Sequence, residues 1–340
     1  MTKNDISLKK YLVLMLVFIV ISVGSVIGIS KFLKHDINLQ GIPYYWYFIL
    51  SAMTLIYVLL DGFRFYIILK TLKINLTYRF VVKQAVIGTF VSNVTPFLAG
   101  GSIAQIYFLK EHGIPISEAA AATSIRAILA SAFFFISLPL MVYFNPELLS
   151  RLNIQSPKIL PFVSLFYLLW TAFIVIVGKY REKSMHYLGK LIYRLPLKET
   201  HRTKLYAGLD DFLLHLDLFL RGDKKHLLLS FLVTVLHFGF VFMFSVVILG
   251  LYGYHISPLI VISGQMLSNF IMYFGFTPGA SGFAEGGFAY FFSQIVDEKD
   301  LVNIVFLWRG STVYLTMIMG MFLFAKESWH IRMKHHKAHE

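Results

Sequence analysis

The sequence predicts an all-α polytopic membrane protein, and three observations carry that prediction. Composition comes first: 57% of the 340 residues are hydrophobic and 14% are charged, with a mean hydropathy of +0.68. A soluble domain of this size cannot keep that balance off its surface. The second observation is a series of long apolar runs separated by short loops in which the charges collect. The third is a pair of Pro/Gly breaks inside apolar sequence, at 95–105 and 277–287, where freed backbone groups need protein or a watery cavity to satisfy them. Thirty-three Phe, nineteen Tyr and four Trp suit lipid-facing and interfacial positions. With no Cys there is neither a disulfide framework nor thiolate chemistry. The net charge of +13 sits in the loops, which points to the anionic inner leaflet rather than to nucleic acid.

Taken in order, Lys3, Lys9 and Lys10 precede a first run at 11–29 that carries no charge and no A-x-A cleavage pattern. It reads as a retained span with a cytoplasmic N-terminus. The second span, 44–69, carries Asp61 and Arg64 three residues apart, on one helix face and placed to form an ion pair. Lys70, Lys73, Arg79 and Lys83 then put the next loop inside. Residues 80–98 are rich in Ser, Thr, Asn and Gly, and after the first break a short helix starts at Ser102. Spans at 116–144 and 160–177 lead to a linker, 179–225, whose eleven Lys/Arg against six Asp/Glu mark it as cytoplasmic. Counting back from it, 80–112 begins and ends on the cytoplasmic side and is a hairpin. In the second half 226–250 goes out, 258–296 forms a hairpin around the second break, and 301–325 returns to a basic tail at 326–340. The 252–257 loop has no charged residue and 297–300 is acidic on balance, so this hairpin enters from the opposite face. The expected organisation is a first transmembrane half (1–178), a basic amphipathic cytoplasmic linker (179–225), a second transmembrane half (226–325) and a cytoplasmic tail. That makes six full spans and two broken-helix, re-entrant hairpins in inverted-topology halves.

The breaks are related in sequence. Thr95 and Pro96 open the first, followed by Gly100, Gly101, Ser102 and Gln105; Thr277 and Pro278 open the second, followed by Gly279, Ser281, Gly282 and Glu285. One helix later each is followed by an arginine in an apolar span, Arg126 and Arg309. Each short helix begins at a Gly/Ser cluster, so its unpaired N–H groups and positive dipole end point at the break and favour an anion. Ser102 and Gln105 fit an S-x-x-Q capping box, and Glu285, three residues after Gly282, is placed to cap the second helix. Glu285 is therefore a helix cap, a proton or cation site, or the partner of Arg309. Arg126 and Arg309 are either structural residues that pair with Glu285, Asp61 or backbone carbonyls and fix helix packing, or a phosphate clamp, for which the guanidinium fork is shaped. Asp61 and Glu285 set against Arg64, Arg126 and Arg309 leave the spans with surplus positive charge, which suits an anionic headgroup. Asn93, Gln265 and Asn269 either line a cavity or bridge helices. His237 reads as a packing residue, and His330, His335, His336 and His339 as part of a solvated basic tail, so no metal site is expected. Leu209, Phe212, Leu213, Leu216 and Leu220 describe a helix lying at the cytoplasmic interface. The sequence has no P-loop, no G-x-G-x-x-G after a strand and no HExxH, and no catalytic residue or cofactor is expected.

The segments TPFLAGGSIAQIYFLKEHGIPISEA, TPGASGFAEGGFAYFF and LWRGSTVYL resemble the flippase-like family built on the transmembrane region of lysylphosphatidylglycerol synthase, the multipeptide resistance factor group. The resemblance covers nearly the whole chain. It implies movement of anionic, aminoacylated or glycosylated lipids between leaflets of a plasma or inner membrane, with membrane lipids as partners. Its pattern falls on Thr95, Pro96, Gly100, Gly101 and Gln105, and on Thr277, Pro278, Gly279, Ser281, Gly282, Glu285 and Arg309. Phe283 stands where the pattern leads to a small residue, and the first motif lacks the acid and arginine that some relatives carry there. The full-length synthases add a soluble aminoacyl-transfer domain, and a sequence ending at Glu340 leaves lysyl transfer without a seat. The alternatives are a membrane subunit of lysylphosphatidylglycerol synthesis working with a lipid-synthesis enzyme, and a secondary transporter of a small anion.

Overall fold

The structure, a computed structural model, describes residues 8–144, 159–194, 196, 198–272 and 274–337; Lys3 and His339 lie outside them. Every regular element among these residues is helical. The first half contains α1 (Leu8–Leu33), α2 (Tyr44–Thr71), α3 (Tyr78–Val94), α4 (Gly100–Glu111), α5 (Ile116–Phe144) and α6 (Ile159–Lys179). The linker folds as two helices, α7 (Arg181–Arg194) and α8 (Glu199–Leu220). The second half contains α9 (Lys224–Leu251), α10 (Pro258–Met272), α11 (Phe283–Phe292), α12 (Glu298–Arg309) and α13 (Leu315–Lys337). Among the described residues, five helical stretches are long and apolar enough to cross a membrane: Leu16–Leu33, Tyr44–Thr71, Ile116–Met141, Lys224–Leu251 and Glu298–Lys334.

Local chemistry sets the boundaries. Gly113 and Gly253 adopt φ of +87° and +79° just past the ends of α4 and α9, the left-handed conformation in which glycine closes a helix without a Cβ clash. Asp223 caps α9 by accepting the Lys225 N–H at 3.0 Å. At both breaks the chain makes one 3-10 turn, Pro96–Leu98 and Pro278–Ala280, because proline has no N–H to continue the ladder. The four hairpin arms have 17, 12, 15 and 10 residues. At about 1.5 Å per residue the longest reaches ~26 Å, short of a hydrocarbon core of ~30 Å.

Three apolar clusters hold the bundle. Phe133, Phe134, Phe242, Phe288 and Trp308 join α5 to the second half, with the rings of Phe288 and Phe292 stacked at 4.0 Å. Phe18, Phe90, Phe108 and Phe324 join α1, α3, α4 and α13. The third cluster contains Phe65, Ile68, Leu213, Leu216 and Phe219, and it revises the linker expectation. The apolar stripe of α8 packs into the helical core against α5 and α6, because two connected helices can bury a face that one helix would have to lay on the membrane.

Candidate functional site

The two breaks share a backbone conformation. Phe97 and Gly279, each directly after the proline, have φ/ψ of 56°/17° and 59°/19°, and the following Leu98 and Ala280 are also left-handed at 53° and 51°. For Phe97 and Leu98 this costs about 1–2 kcal/mol each, so the shape is held by its surroundings. The threonines hold it: Thr95 Oγ1 donates to Val91 O (2.8 Å) and accepts the Gly100 N–H (3.0 Å), while Thr277 Oγ1 donates to Ser281 O (2.6 Å). The two turns pack against each other. A Cβ on Gly279 would lie 2.4 Å from the Phe18 ring and 3.1 Å from Asn93 O, so only glycine lets the second tip approach the end of α3.

The S-x-x-Q capping box does not form. The tight turn carries Thr95 to the start of α4, which begins at Gly100, two residues before Ser102. Ser102 is left exposed, and Gln105 turns back to donate to Gln84 O in α3 at 3.2 Å. In the second hairpin Glu285 does cap: its Oε2 accepts the Gly282 N–H at 2.6 Å. Its Oε1 accepts from Arg309 Nε at 2.7 Å and from Ser22 Oγ at 3.0 Å. Both Glu285 and Arg309 have no exposed surface. Arg309 Nη2 adds a bond to Gly279 O at 3.2 Å, which ties the guanidinium to the tip of the break. Its buried Nη1 has no hydrogen-bond partner among the described residues.

Gln105 and Arg126 occupy the matching places in the first half, but a glutamine offers no countercharge, and Arg126 turns to α2 instead. Asp61 receives Arg64 Nη2 at 3.0 Å and Arg126 Nη2 at 2.5 Å, and His237 Nε2 lies 3.8 Å from it. The expected Asp61–Arg64 pair is therefore part of a larger buried cluster, with the His237 ring stacked on Tyr57 at 5.3 Å.

Between the hairpins lies a cavity of about 370 Å³. Arg64, Arg126, Arg309 and His237 stand at its wall, with Asn93, Ser102, Gln105, Gln265 and Asn269 supplying neutral polar groups. No Asp or Glu is among the described residues that line it; Asp61 and Glu285 sit behind the arginines. Gln265 both accepts from Ser245 and donates to Asn269 Oδ1 at 3.2 Å, so it lines the cavity and bridges helices at once. Gly101 lines the wall as well, whereas Thr95, Pro96, Gly100, Thr277, Pro278, Gly279, Ser281 and Gly282 shape the turns behind it.

Several participants carry no sequence signal. Ser22, fully buried in α1, joins Glu285 to the Tyr314 hydroxyl at 2.9 Å, yet in sequence it is one small residue in an apolar run. Directly after Arg309 the helix loosens into a π turn, Gly310–Tyr314, a local irregularity that recurs at functional sites. Thr54 of α2 donates to the Ser311 carbonyl there at 2.7 Å. Glu327 of α13 takes Lys83 at 2.5 Å and faces His112 Nε2 at 3.3 Å, fastening both arms of the first hairpin to the last helix.

Residues 11–320 match the family described as the lysylphosphatidylglycerol synthase TM region. Among curated proteins the chain is similar to a UPF0104 membrane protein of Archaeoglobus fulgidus, 25% identical over 240 residues that cover 68% of this chain and 71% of that protein.

Proposed function

The chain belongs to the family of the lysylphosphatidylglycerol synthase transmembrane region, and on that premise we propose that it moves a lipid with an anionic headgroup between the leaflets of a cell membrane. In this reading six full spans frame two re-entrant hairpins of opposite entry, and both termini are cytoplasmic. The observation that carries it is a cavity with Arg64, Arg126 and Arg309 among its lining residues, set beside two like-shaped breaks that touch each other. Helix N-termini and arginines both attract a phosphate, and charge inside a bilayer, at about 2.5–3.5 kcal/mol per residue or more, marks a working site by default. Side chain and backbone donors would replace the water that the headgroup leaves behind, and the strained turns would give the tips a second position to move to.

The test is reconstitution in vesicles with a tail-labelled anionic phospholipid whose exposure on the outer leaflet is followed by chemical quenching. Arg126→Gln, checked for folding by gel filtration and thermal unfolding, is expected to slow transbilayer movement at least ten-fold. A folded variant that moves lipid at the wild-type rate would count against the assignment. Uptake of labelled glycerol phosphate into the same vesicles, without lipid movement, would mark a carrier of small soluble anions instead.

A further inference from the structure

We propose that His112 and Glu327 form a proton-binding site at the cytoplasmic end of the first hairpin, and that the proton held there latches the hairpin to the last helix and slows lipid movement. The site stands on its own geometry; its effect on lipid rests on the transport reading above. Glu327 of α13 is 4% exposed, and its Oε2 takes Lys83 Nζ of α3 at 2.5 Å. Its Oε1 accepts no hydrogen bond among the described residues and has His112 Nε2, at the end of α4, 3.3 Å away. The other ring nitrogen fixes what Nε2 can do. Nδ1 lies 2.9 Å from Phe108 O, and a carbonyl only accepts, so in that bond Nδ1 carries the hydrogen. In the neutral ring Nε2 then turns a lone pair toward a carboxylate oxygen, and the contact repels. A proton between the two makes it a charge-assisted hydrogen bond.

Histidine is the side chain that ordinarily changes charge between about pH 5 and pH 8, and the His112 side chain is 32% exposed, so its proton exchanges with solvent. Among the described residues Glu327 has ion contacts with Lys83 from α3 and His112 from α4. Lys110 and Glu111 flank His112 on its own helix, while Lys326 precedes Glu327 and His330 lies about one turn beyond it on α13. The ring of His112 packs on Phe80 of α3 at 4.4 Å. Helix α4 carries the latch to the cavity: it has 12 residues, about 18 Å at the usual rise, and Gly101, Ser102 and Gln105 near its start line the wall. With the proton bound, α4 is pinned to α13 at one end and the wall at the other end is fixed. Without it, that end is pushed off Glu327 and the wall is free to shift.

The experiment follows tail-labelled phosphatidylglycerol in vesicles with equal pH inside and out, at about pH 8 and at about pH 5.5, which brackets the ordinary histidine range. The wild type is expected to move lipid at least ten times more slowly at the acid pH. His112→Ala, at an exposed position, should be fast at both. Glu327→Gln should be slow at both, because its amide N–H donates to Nε2 with no proton bound. His330→Ala should respond as the wild type does. A second measurement needs no transport: spin labels at Lys110→Cys and Lys326→Cys, both exposed, should move apart as the pH rises and stay close when Glu327→Gln is added. A separation that ignores pH overturns the latch. So does lipid movement that is flat in the wild type, still pH-dependent in a folded His112→Ala, fast in a folded Glu327→Gln, or made flat by His330→Ala. A separation that changes with pH in vesicles where no lipid moves overturns the transport reading and leaves the proton site standing.

Discussion

At Glu285 both carboxylate oxygens are occupied, by the Gly282 N–H on one side and by Arg309 and Ser22 on the other. Removing the charge while keeping the shape therefore strands a buried guanidinium. Breaking such a pair from one side costs about 3–5 kcal/mol, whereas replacing both partners by apolar groups is often close to neutral. Glu285→Gln should lower the thermal unfolding temperature in detergent markedly, and Glu285→Gln with Arg309→Met should recover part of the loss; additive losses would mean that the two residues act independently. The sequence offered three roles for Glu285, and the structure shows two of them held together, helix cap and arginine partner. That was legible because cap and acid are three residues apart. The Asp61–Arg126 contact was legible only as one option, Asp61, Glu285 and backbone carbonyls all being open to either arginine, since the two residues are 65 positions apart and no local period links them. Ser22 was invisible for another reason: a buried serine in a span normally bonds to its own helix backbone, and nothing in its neighbours says that this one reaches across to a carboxylate.

The hairpins depend on close approach between their arms. A Cβ on Gly101 would lie 2.0 Å from Ser92 Oγ and 2.5 Å from the Gly88 carbonyl oxygen; the serine can rotate, but the carbonyl belongs to α3 and cannot. Gly101→Ala should push α4 off α3 and cost about 1–3 kcal/mol, as overpacking does. Gly286 provides the contrast, because it lies inside α11 with nothing within 4 Å of a built Cβ. Gly286→Ala should be neutral or stabilise by up to about 1 kcal/mol, by helix propensity alone. Equal unfolding temperatures for the two variants would refute the contact argument. Element positions were largely legible, since Thr-Pro followed by small residues breaks a helix wherever it occurs. The start of α4 was misjudged by two residues because S-x-x-Q is a local pattern, while the cap is supplied by Thr95 from across the turn. For α8 the apolar spacing gave the correct face but the wrong neighbour, because amphipathicity states that a face will be covered and leaves open by what.

For the whole molecule the decisive property is the sense in which the two hairpins enter the bilayer. The two turns share nearly the same dihedral angles at Phe97 and Gly279, and their tips are in contact. Which faces they come from is decided by loop charge. The chain contains no Cys, so single cysteines can be introduced without removing any, and Lys110, Lys299 and Lys334 are all exposed. Lys110→Cys, at the end of the first hairpin, and Lys334→Cys, near the C-terminal end of the last helix, should react with a membrane-impermeant maleimide from one face; Lys299→Cys, just past the second hairpin, should react from the other. Labelling of Lys110→Cys and Lys299→Cys from the same face would make the hairpins parallel and remove the inverted relation between the halves. The cavity would then open toward one leaflet only, and the same arginines would bind an anion without a route for it to the other side.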